Sequence, residues 1–136
     1  MTDAEYRSQC RRIKQFASLW RKKLGLDWWN LDLKYARSLQ EFDFSEDLNA
    51  CKSTVAYTHS QYEYLQAQVT FNVPEIASFD DTQLEEIILH EFMHILLCET
   101  RYGNNCECPF DPKREERVAT VLARAFQRTR HATRTP

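Results

Sequence analysis

Apolar and polar residues recur with two different periods along this chain, and the changes of period predict its elements. Apolar residues at three- and four-residue steps predict an amphipathic helix over residues 4–24, and Gly25 stands where a C-cap would end it. Alternation with a period of two, together with enrichment in Thr, Tyr and Val, predicts strands at 28–36, 52–59 and 63–73. The last two strands suit a hairpin, and Pro74 ends the second because proline cannot donate to a ladder.

Helical periodicity returns in the second half of the chain. One helix is predicted over 82–98, where Thr82 and Glu85 form a T-x-x-E capping box at its start. Another is predicted over 113–130, after a loop that contains Gly, Asn and Pro. The order of these elements indicates the α+β class, as one domain over 1–136. Its sheet is expected to be small and mostly antiparallel, with about three strands packed on helices.

The helix predicted over 82–98 carries the strongest chemical pattern, His90-Glu91-Phe92-Met93-His94. Positions four apart lie on one face of a helix, so His90 and His94 can present two imidazoles to one metal ion. Glu91 would then stand beside the metal as a general base, as in H-E-x-x-H metalloproteases. A buried helix whose two histidines are hydrogen-bonded in the core is the alternative interpretation.

A catalytic zinc site usually has three protein ligands and one open position, so a third ligand is needed. The downstream candidates are Cys98, Cys106, Cys108, Asp111, Glu115, Glu116 and His131. At about 100° per residue, the mean direction of the apolar positions in helix 113–130 lies about 36° from Glu115 and about 136° from Glu116. Glu115 is therefore predicted to point inward as the third ligand. Glu116, predicted to point toward solvent, is the alternative, and a first-turn glutamate that complements the helix dipole would explain either residue.

Composition excludes several classes of protein. Hydrophobic residues make up 43% and aromatic residues 12% of the 136 residues, which is typical of a folded globule and not of a disordered chain. No apolar run reaches the length of a membrane span, and the N-terminus lacks the apolar core of a signal peptide. We therefore expect a cytoplasmic protein without a membrane partner. Five cysteines, an odd number, suit a reducing compartment.

The net charge of −2 conceals an uneven distribution of charge. Residues 1–26 carry +5, residues 27–110 carry −11 and residues 111–136 carry +4. We expect the basic ends to be solvated helix faces that complement the acidic body. A basic nucleic-acid surface is the alternative, but no nucleic-acid-binding motif accompanies the charge, so no nucleic-acid partner is expected. A monomer is expected.

HEFMH followed by a second helix with the sequence EERVATVLA resembles the gluzincin branch of the zincin metallopeptidases. The short chain, the upstream strand QAQVTFN and the V-x-x-L-A pattern resemble small phage- and prophage-encoded proteins of this kind. The resemblance implies a minimal zincin-like domain with one zinc ion per chain, bound by His90, His94 and Glu115. It also implies that strand 66–72 is an edge strand along which an extended peptide pairs.

The activity implied by the resemblance is hydrolysis of bonds in a peptide or protein substrate. Zinc would polarise the scissile carbonyl and lower the pKa of its bound water, and Glu91 would take the proton of that water. Tyr102 and His131 are candidates for stabilising the oxyanion that develops. Cys98, Cys106 and Cys108 are candidates for a second, structural zinc or for a thiolate that keeps the enzyme latent, against ordinary free thiols.

A non-catalytic module of the same fold is the second function class. It would bind a protein partner, such as a host or phage regulator, through the strand edge or a basic end. The two classes differ in their response to Glu91→Gln. This substitution abolishes proteolysis by a peptidase while the fold stays intact, whereas partner capture by a binding module survives it.

Overall fold

The computed structural model describes residues 1–41, 55–99 and 111–132, which form four helices and three strands. The helices are α1 (Asp3–Lys23), α2 (Val73–Ile76), α3 (Asp81–Leu97) and α4 (Pro112–Ala132). The strands are β1 (Asn30–Ala36), β2 (Ala56–Gln61) and β3 (Gln66–Asn72). The α+β class predicted from the sequence is confirmed. Within the described residues, no helix combines the length and the apolar character needed to cross a membrane.

The sheet is mixed, with the strand order β1–β3–β2. β2 runs antiparallel to β3, and the two form the predicted hairpin through a 3-10 turn at Tyr62–Tyr64. β1 runs parallel to β3, with Asn30 opposite Gln66. The expectation of a mostly antiparallel sheet is therefore wrong for this pair. Parallel strands need a long crossover connection, and the chain between β1 and β3 supplies one that contains β2.

β3 is the central strand of the sheet. It pairs with β1 on one side and with β2 on the other, and its residues Val69 and Phe71 are fully buried. The edge strand that the gluzincin resemblance implies at 66–72 is thus a wrong prediction, because both hydrogen-bonding sides of β3 are occupied. Among the three described strands, β2 is an outer strand of the sheet and packs against α3.

α1 covers the core with one face, as its periodicity predicts. Ile13, Ala17 and Trp20 are buried, and the helix packs against α2 and α3. Thr2 and Glu5 form a capping box at its start. Gly25 follows its end with a φ of 71°, a left-handed conformation that glycine adopts without strain. The chain can therefore turn sharply from α1 toward β1.

α3 has Asp80 as its N-cap. The Asp80 carboxylate accepts from the Gln83 N–H at 2.8 Å, and the Gln83 amide oxygen accepts from the Asp80 N–H at 3.0 Å. The predicted capping box of Thr82 and Glu85 is wrong, because this D-x-x-Q box two residues upstream already caps the helix. Glu85 is instead fully buried and forms an ion pair with Arg130 of α4.

α4 lies along α3 with small residues at the contact. Ala119 and Ala123 are fully buried, and Glu115 and Gln127 extend this line by one turn at each end. The predicted apolar stripe is wrong at Val118, Val121 and Phe126, which are exposed, Val121 by 58%. Small side chains let two helix backbones approach closely, so the line of alanines faces α3 in place of the larger apolar residues.

Ion pairs join both basic ends of the chain to α3. They are Arg12–Asp81 at 2.6 Å, Arg124–Glu86 at 2.8 Å and Arg130–Glu85. These contacts show the complementarity that was expected between the basic ends and the acidic body. The two pairs with α4 also hold that helix in register along α3, which decides where its first turn meets the histidines.

Candidate metal centre

α3 presents two imidazole rings toward α4 from one face. His90 and His94 are one turn apart, with ring centroids 4.8 Å apart and ring planes at 78°. Their Nε2 atoms are 3.1 Å apart. A neutral imidazole nitrogen without hydrogen is an acceptor, so two Nε2 atoms this close need a proton or a cation between them. The two Nε2 atoms can therefore share one hydrogen bond, with one ring as donor, or lie on either side of one cation.

Glu116, in the first turns of α4, brings a carboxylate to the same point. Its Oε2 is 3.0 Å from Nε2 of His90, and its Oε1 is 3.0 Å from Nε2 of His94. The ligand atoms of these three residues all lie within 4.8 Å of one another. His90, His94 and Glu116 thus form a group that could hold a metal ion.

Glu115 takes a different position from the one predicted. Its side chain is buried, as predicted, but its Oε1 lies 2.8 Å from Nδ1 of His94 and not at Nε2. A carboxylate on Nδ1 fixes the orientation and tautomer of a metal-binding histidine and makes Nε2 a better ligand. The group that could hold a metal ion contains Glu116 and not Glu115, and the prediction of Glu115 as the third ligand stays a prediction. In this structure Glu115 contacts Nδ1 of His94, and Glu116 lies beside the Nε2 atoms of both histidines.

The mean direction of the apolar positions in α4 gave the wrong orientation for the two glutamates. It included Val118 and Val121, although both side chains are exposed. The buried line from Glu115 to Gln127 has a mean direction about 60° from Glu115 and about 40° from Glu116, at about 100° per residue. Both carboxylates therefore point toward α3, from either side of that line. The prediction that Glu116 points toward solvent is wrong, since its side chain is only 30% exposed.

Thr120 supports the other histidine. Its hydroxyl oxygen is 3.3 Å from Nδ1 of His90. Both rings thus have a polar partner on Nδ1, which leaves both Nε2 atoms directed at Glu116. Thr120 was not a candidate from the sequence. The signal that could have found it is its position one turn beyond Glu116, on the same face of α4.

Glu91 is buried between α3 and the sheet. Its Oε2 accepts a hydrogen bond from the hydroxyl of Thr58 on β2, and the same hydroxyl lies 3.3 Å from the Glu91 carbonyl oxygen. The carboxylate does not belong to the group of metal-ligand atoms, yet its charge acts on His94. Glu91 therefore lies near the candidate metal group without belonging to it.

Three acidic side chains surround His94 and set its proton affinity. Burial lowers the pKa of His94, but hydrogen bonds to Glu115 and Glu116 and the charges of Glu91 and Glu116 outweigh it and raise that pKa to about 9. Hydrogen bonds from His90 and His94 hold the pKa of Glu116 well below its usual range. The negative charges of these carboxylates thus favour a positive charge at the imidazoles, from either a proton or a metal ion.

Of the remaining candidates, those in the described part of the chain, Asp111, Cys98 and His131, are not members of this group. His131 lies fifteen residues beyond Glu116, about 22 Å along α4 at 1.5 Å per residue, and its Nε2 is 3.5 Å from Oε1 of Glu85. His131 thus contacts Glu85 and not the histidine pair, and its role as a possible oxyanion donor stays a prediction. Cys98 is buried at the C-cap of α3 and is not part of the metal group. Tyr102, Cys106 and Cys108 lie outside the described residues.

The donor set decides which ions suit this site. Imidazole nitrogens favour transition metals such as zinc, whereas calcium and magnesium prefer all-oxygen sites. A group of three protein ligands would leave coordination positions for other molecules. No protein-family model, curated protein or solved structure matches this chain. The capacity of this group to hold a metal ion is therefore inferred from its own residues and distances.

Metal binding is expected to release about one proton per chain near neutral pH. His94 is protonated below its pKa of about 9 in the metal-free protein, whereas a metal needs the neutral Nε2. The apparent association constant for zinc should rise about tenfold per pH unit between about pH 6 and pH 8. Calorimetric titrations in two buffers of different ionisation enthalpy measure the released proton. Binding that depends on neither pH nor buffer would contradict a protonated His94.

Proposed function

We propose that this protein is a zinc-dependent metallopeptidase that hydrolyses bonds in peptide or protein substrates. The observation that carries the proposal is the meeting of His90, His94 and Glu116 at one point with the buried carboxylate of Glu91 beside it. Two histidines and one glutamate are the ligand set of known peptidase zinc sites. The proposed enzyme is of the gluzincin type, with one zinc per chain and Glu116 as the helix-borne third ligand.

The proposed reaction divides its work between the metal and Glu91. Zinc in this position would supply a Lewis acid for the scissile carbonyl and lower the pKa of water. Glu91 takes a proton from the attacking water and returns it to the leaving amine, because one side chain can serve first as base and then as acid. Glu91 directly follows His90 in the sequence, so it lies next to a proposed zinc ligand.

A peptide as the substrate is what the gluzincin resemblance proposes, with an extended chain paired along a strand. The Asn72 N–H donates to the Val55 carbonyl at 2.8 Å. Val55 and Asn72 are therefore a hydrogen-bonded pair, in which the Val55 carbonyl faces β3. Backbone groups alternate in direction along an antiparallel strand, so the N–H and C=O of Thr58 face away from β3. An extended peptide that paired with these groups of Thr58 would do so by backbone hydrogen bonds. Because the Thr58 side chain contacts Glu91, such a peptide would lie next to the proposed base.

The metal content of the purified, dialysed protein tests the first step of this proposal. We expect about one zinc per chain by elemental mass spectrometry. His90→Asn should abolish stable zinc binding. His131→Asn is the matched control, since it removes a histidine far from the group and should leave the zinc content unchanged. Protein that stays metal-free after zinc has been offered would refute the enzyme and favour the binding module.

The second step is tested with the zinc-loaded protein and a library of quenched-fluorescent peptides. Hydrolysis that a chelator stops and added zinc restores would support the peptidase. A zinc-loaded protein that cleaves neither the library nor casein, but captures a protein without cutting it, would favour the non-catalytic module. These two results separate the function classes without any knowledge of the natural substrate.

A further inference from the structure

α1 carries a stripe of positive charge on the side that faces away from the core. At about 100° per residue, the stripe lies within a sector of about 80°, centred about 130° from the buried residues of this helix. It covers about 22 Å of the helix at 1.5 Å per residue. The residues of this α1 stripe are all exposed, and they are Arg7, Arg11, Lys14 and Lys22.

The charges of the α1 stripe are not neutralised within the described part of the chain. Other cations of the helix have partners in the fold. Arg12 pairs with Asp81 at 2.6 Å, and Arg21 donates to a backbone carbonyl at 3.1 Å. No ion pair or side-chain hydrogen bond among the described residues includes a member of the stripe. Residues 6–26 also contain no Asp or Glu that could supply a partner within the helix.

Unpaired cations one turn apart disfavour the helix that carries them, because like charges at i,i+3 and i,i+4 repel each other. Arg11 stands four residues from Arg7 and three from Lys14. A helix face that only has to be solvated commonly mixes both signs of charge, which removes this repulsion. A bound polyanion would offset the repulsion between the cations of the stripe.

We propose that the α1 stripe binds the phosphate backbone of nucleic acid without reading its sequence. Nonspecific binding of this kind comes from Lys and Arg contacts with phosphates, so it needs no sequence motif. Ser8, Gln15 and Ser18 are exposed beside the stripe, and side chains of these types also hydrogen-bond to phosphate oxygens. The net charge of −2 opposes binding only weakly, because charges farther away than about 8 Å are screened at physiological salt.

An anionic membrane surface is the other polyanion that a basic helix can meet. A helix that lies in a membrane interface inserts its apolar face among the lipids. The apolar face of α1 is occupied by the core, where Ile13, Ala17 and Trp20 are buried. The stripe itself contains no apolar side chain, so α1 offers charge without insertion, and this favours nucleic acid.

Fluorescence anisotropy of a short, labelled DNA duplex of mixed sequence tests this inference with the full chain. Near physiological salt we expect a dissociation constant of about 1–100 µM. Four phosphate contacts predict a slope of about −3.6 when the logarithm of the association constant is plotted against the logarithm of the salt concentration. Single-stranded RNA with the same contacts should give a shallower slope of about −2.8.

The double variant Arg11→Gln, Lys14→Gln removes two of the four cations. We expect its slope to be shallower by about 2 and its affinity at low salt to fall by at least about tenfold. Both side chains are exposed and form no contact that holds the fold, so the helix should stay folded. The matched control is Arg114→Gln, Arg124→Gln, which removes the same charge from two exposed arginines of α4 that already form ion pairs. This control should keep the original slope.

Absence of binding to both the duplex and the single strand at low salt would overturn the inference. An unchanged slope in the α1 double variant would overturn it too, because the phosphate contacts would then lie elsewhere. Tighter binding to vesicles of phosphatidylserine and phosphatidylcholine than to either nucleic acid would assign the stripe to membrane surfaces instead. None of these measurements depends on zinc or on peptide hydrolysis, so failure of the inference is distinguishable from failure of the proposed function.

Discussion

Replacement of Glu91 by glutamine is expected to lower peptide hydrolysis by about 100- to 10,000-fold while zinc stays bound. Glutamine has nearly the same shape and keeps an oxygen that can accept from Thr58, so the packing between α3 and β2 should survive. It cannot take a proton from water as a carboxylate does. Rate measurements at saturating peptide, with zinc content determined on the same samples, test this expectation.

Glu86→Gln is the matched control for that experiment. Glu86 lies on the same helix and its loss removes the same charge, but its partner is Arg124, away from the metal group. Its variant should hydrolyse peptide at the original rate. Undiminished hydrolysis by Glu91→Gln would show that another group is the base. A partner protein that Glu91→Gln captures as well as the original chain does would instead support a binding module.

Glu116→Gln and Glu115→Gln are expected to affect zinc affinity unequally, although the two residues are neighbours in sequence. Loss of the Glu116 carboxylate removes one of three proposed ligands, so we expect a fall in affinity of more than about 100-fold. Loss of the Glu115 carboxylate removes the partner on Nδ1 of His94, and such outer partners are worth about 10–100-fold. Competition with a chromophoric chelator at fixed pH measures both constants.

Glu75→Gln, on the exposed surface of α2, controls for the change in net charge. The order of the two effects is the decisive result. If Glu115→Gln weakens zinc binding more than Glu116→Gln does, the metal lies on the Nδ1 side of His94 and Glu115 is the ligand after all. Equal and small effects would mean that neither glutamate contacts the metal.

The sequence was informative about features whose physical basis is local. Helical periodicity and an H-E-x-x-H spacing depend only on residues within a few turns, so α3 and its two inward histidines could be predicted. The cap was misplaced by two residues because two overlapping capping patterns, at Asp80 and at Thr82, compete for one helix end. Local patterns can propose both, and only the packing of Glu85 against Arg130 decides between them.

The choice between Glu115 and Glu116 depended on packing and not on periodicity. The apolar side chains of α4 are spread around much of the helix, and several of them are exposed. The rotation of α4 is set by the close approach that Ala119 and Ala123 allow and by its ion pairs with α3. Hydrophobicity does not measure how closely two backbones can approach, so it cannot determine that rotation.

The sequence by itself determined the α+β class, the helix that carries His90, Glu91 and His94, and the presence of a glutamate on the following helix. The tertiary structure decided that Glu116 faces the Nε2 atoms of both histidines, that Glu115 and Thr120 contact the Nδ1 atoms, and that β2, among the described strands, lies beside Glu91. It also brought Thr58 to Glu91 across 33 positions of sequence. Contacts between elements depend on strand order and helix rotation, which arise only when the whole core packs.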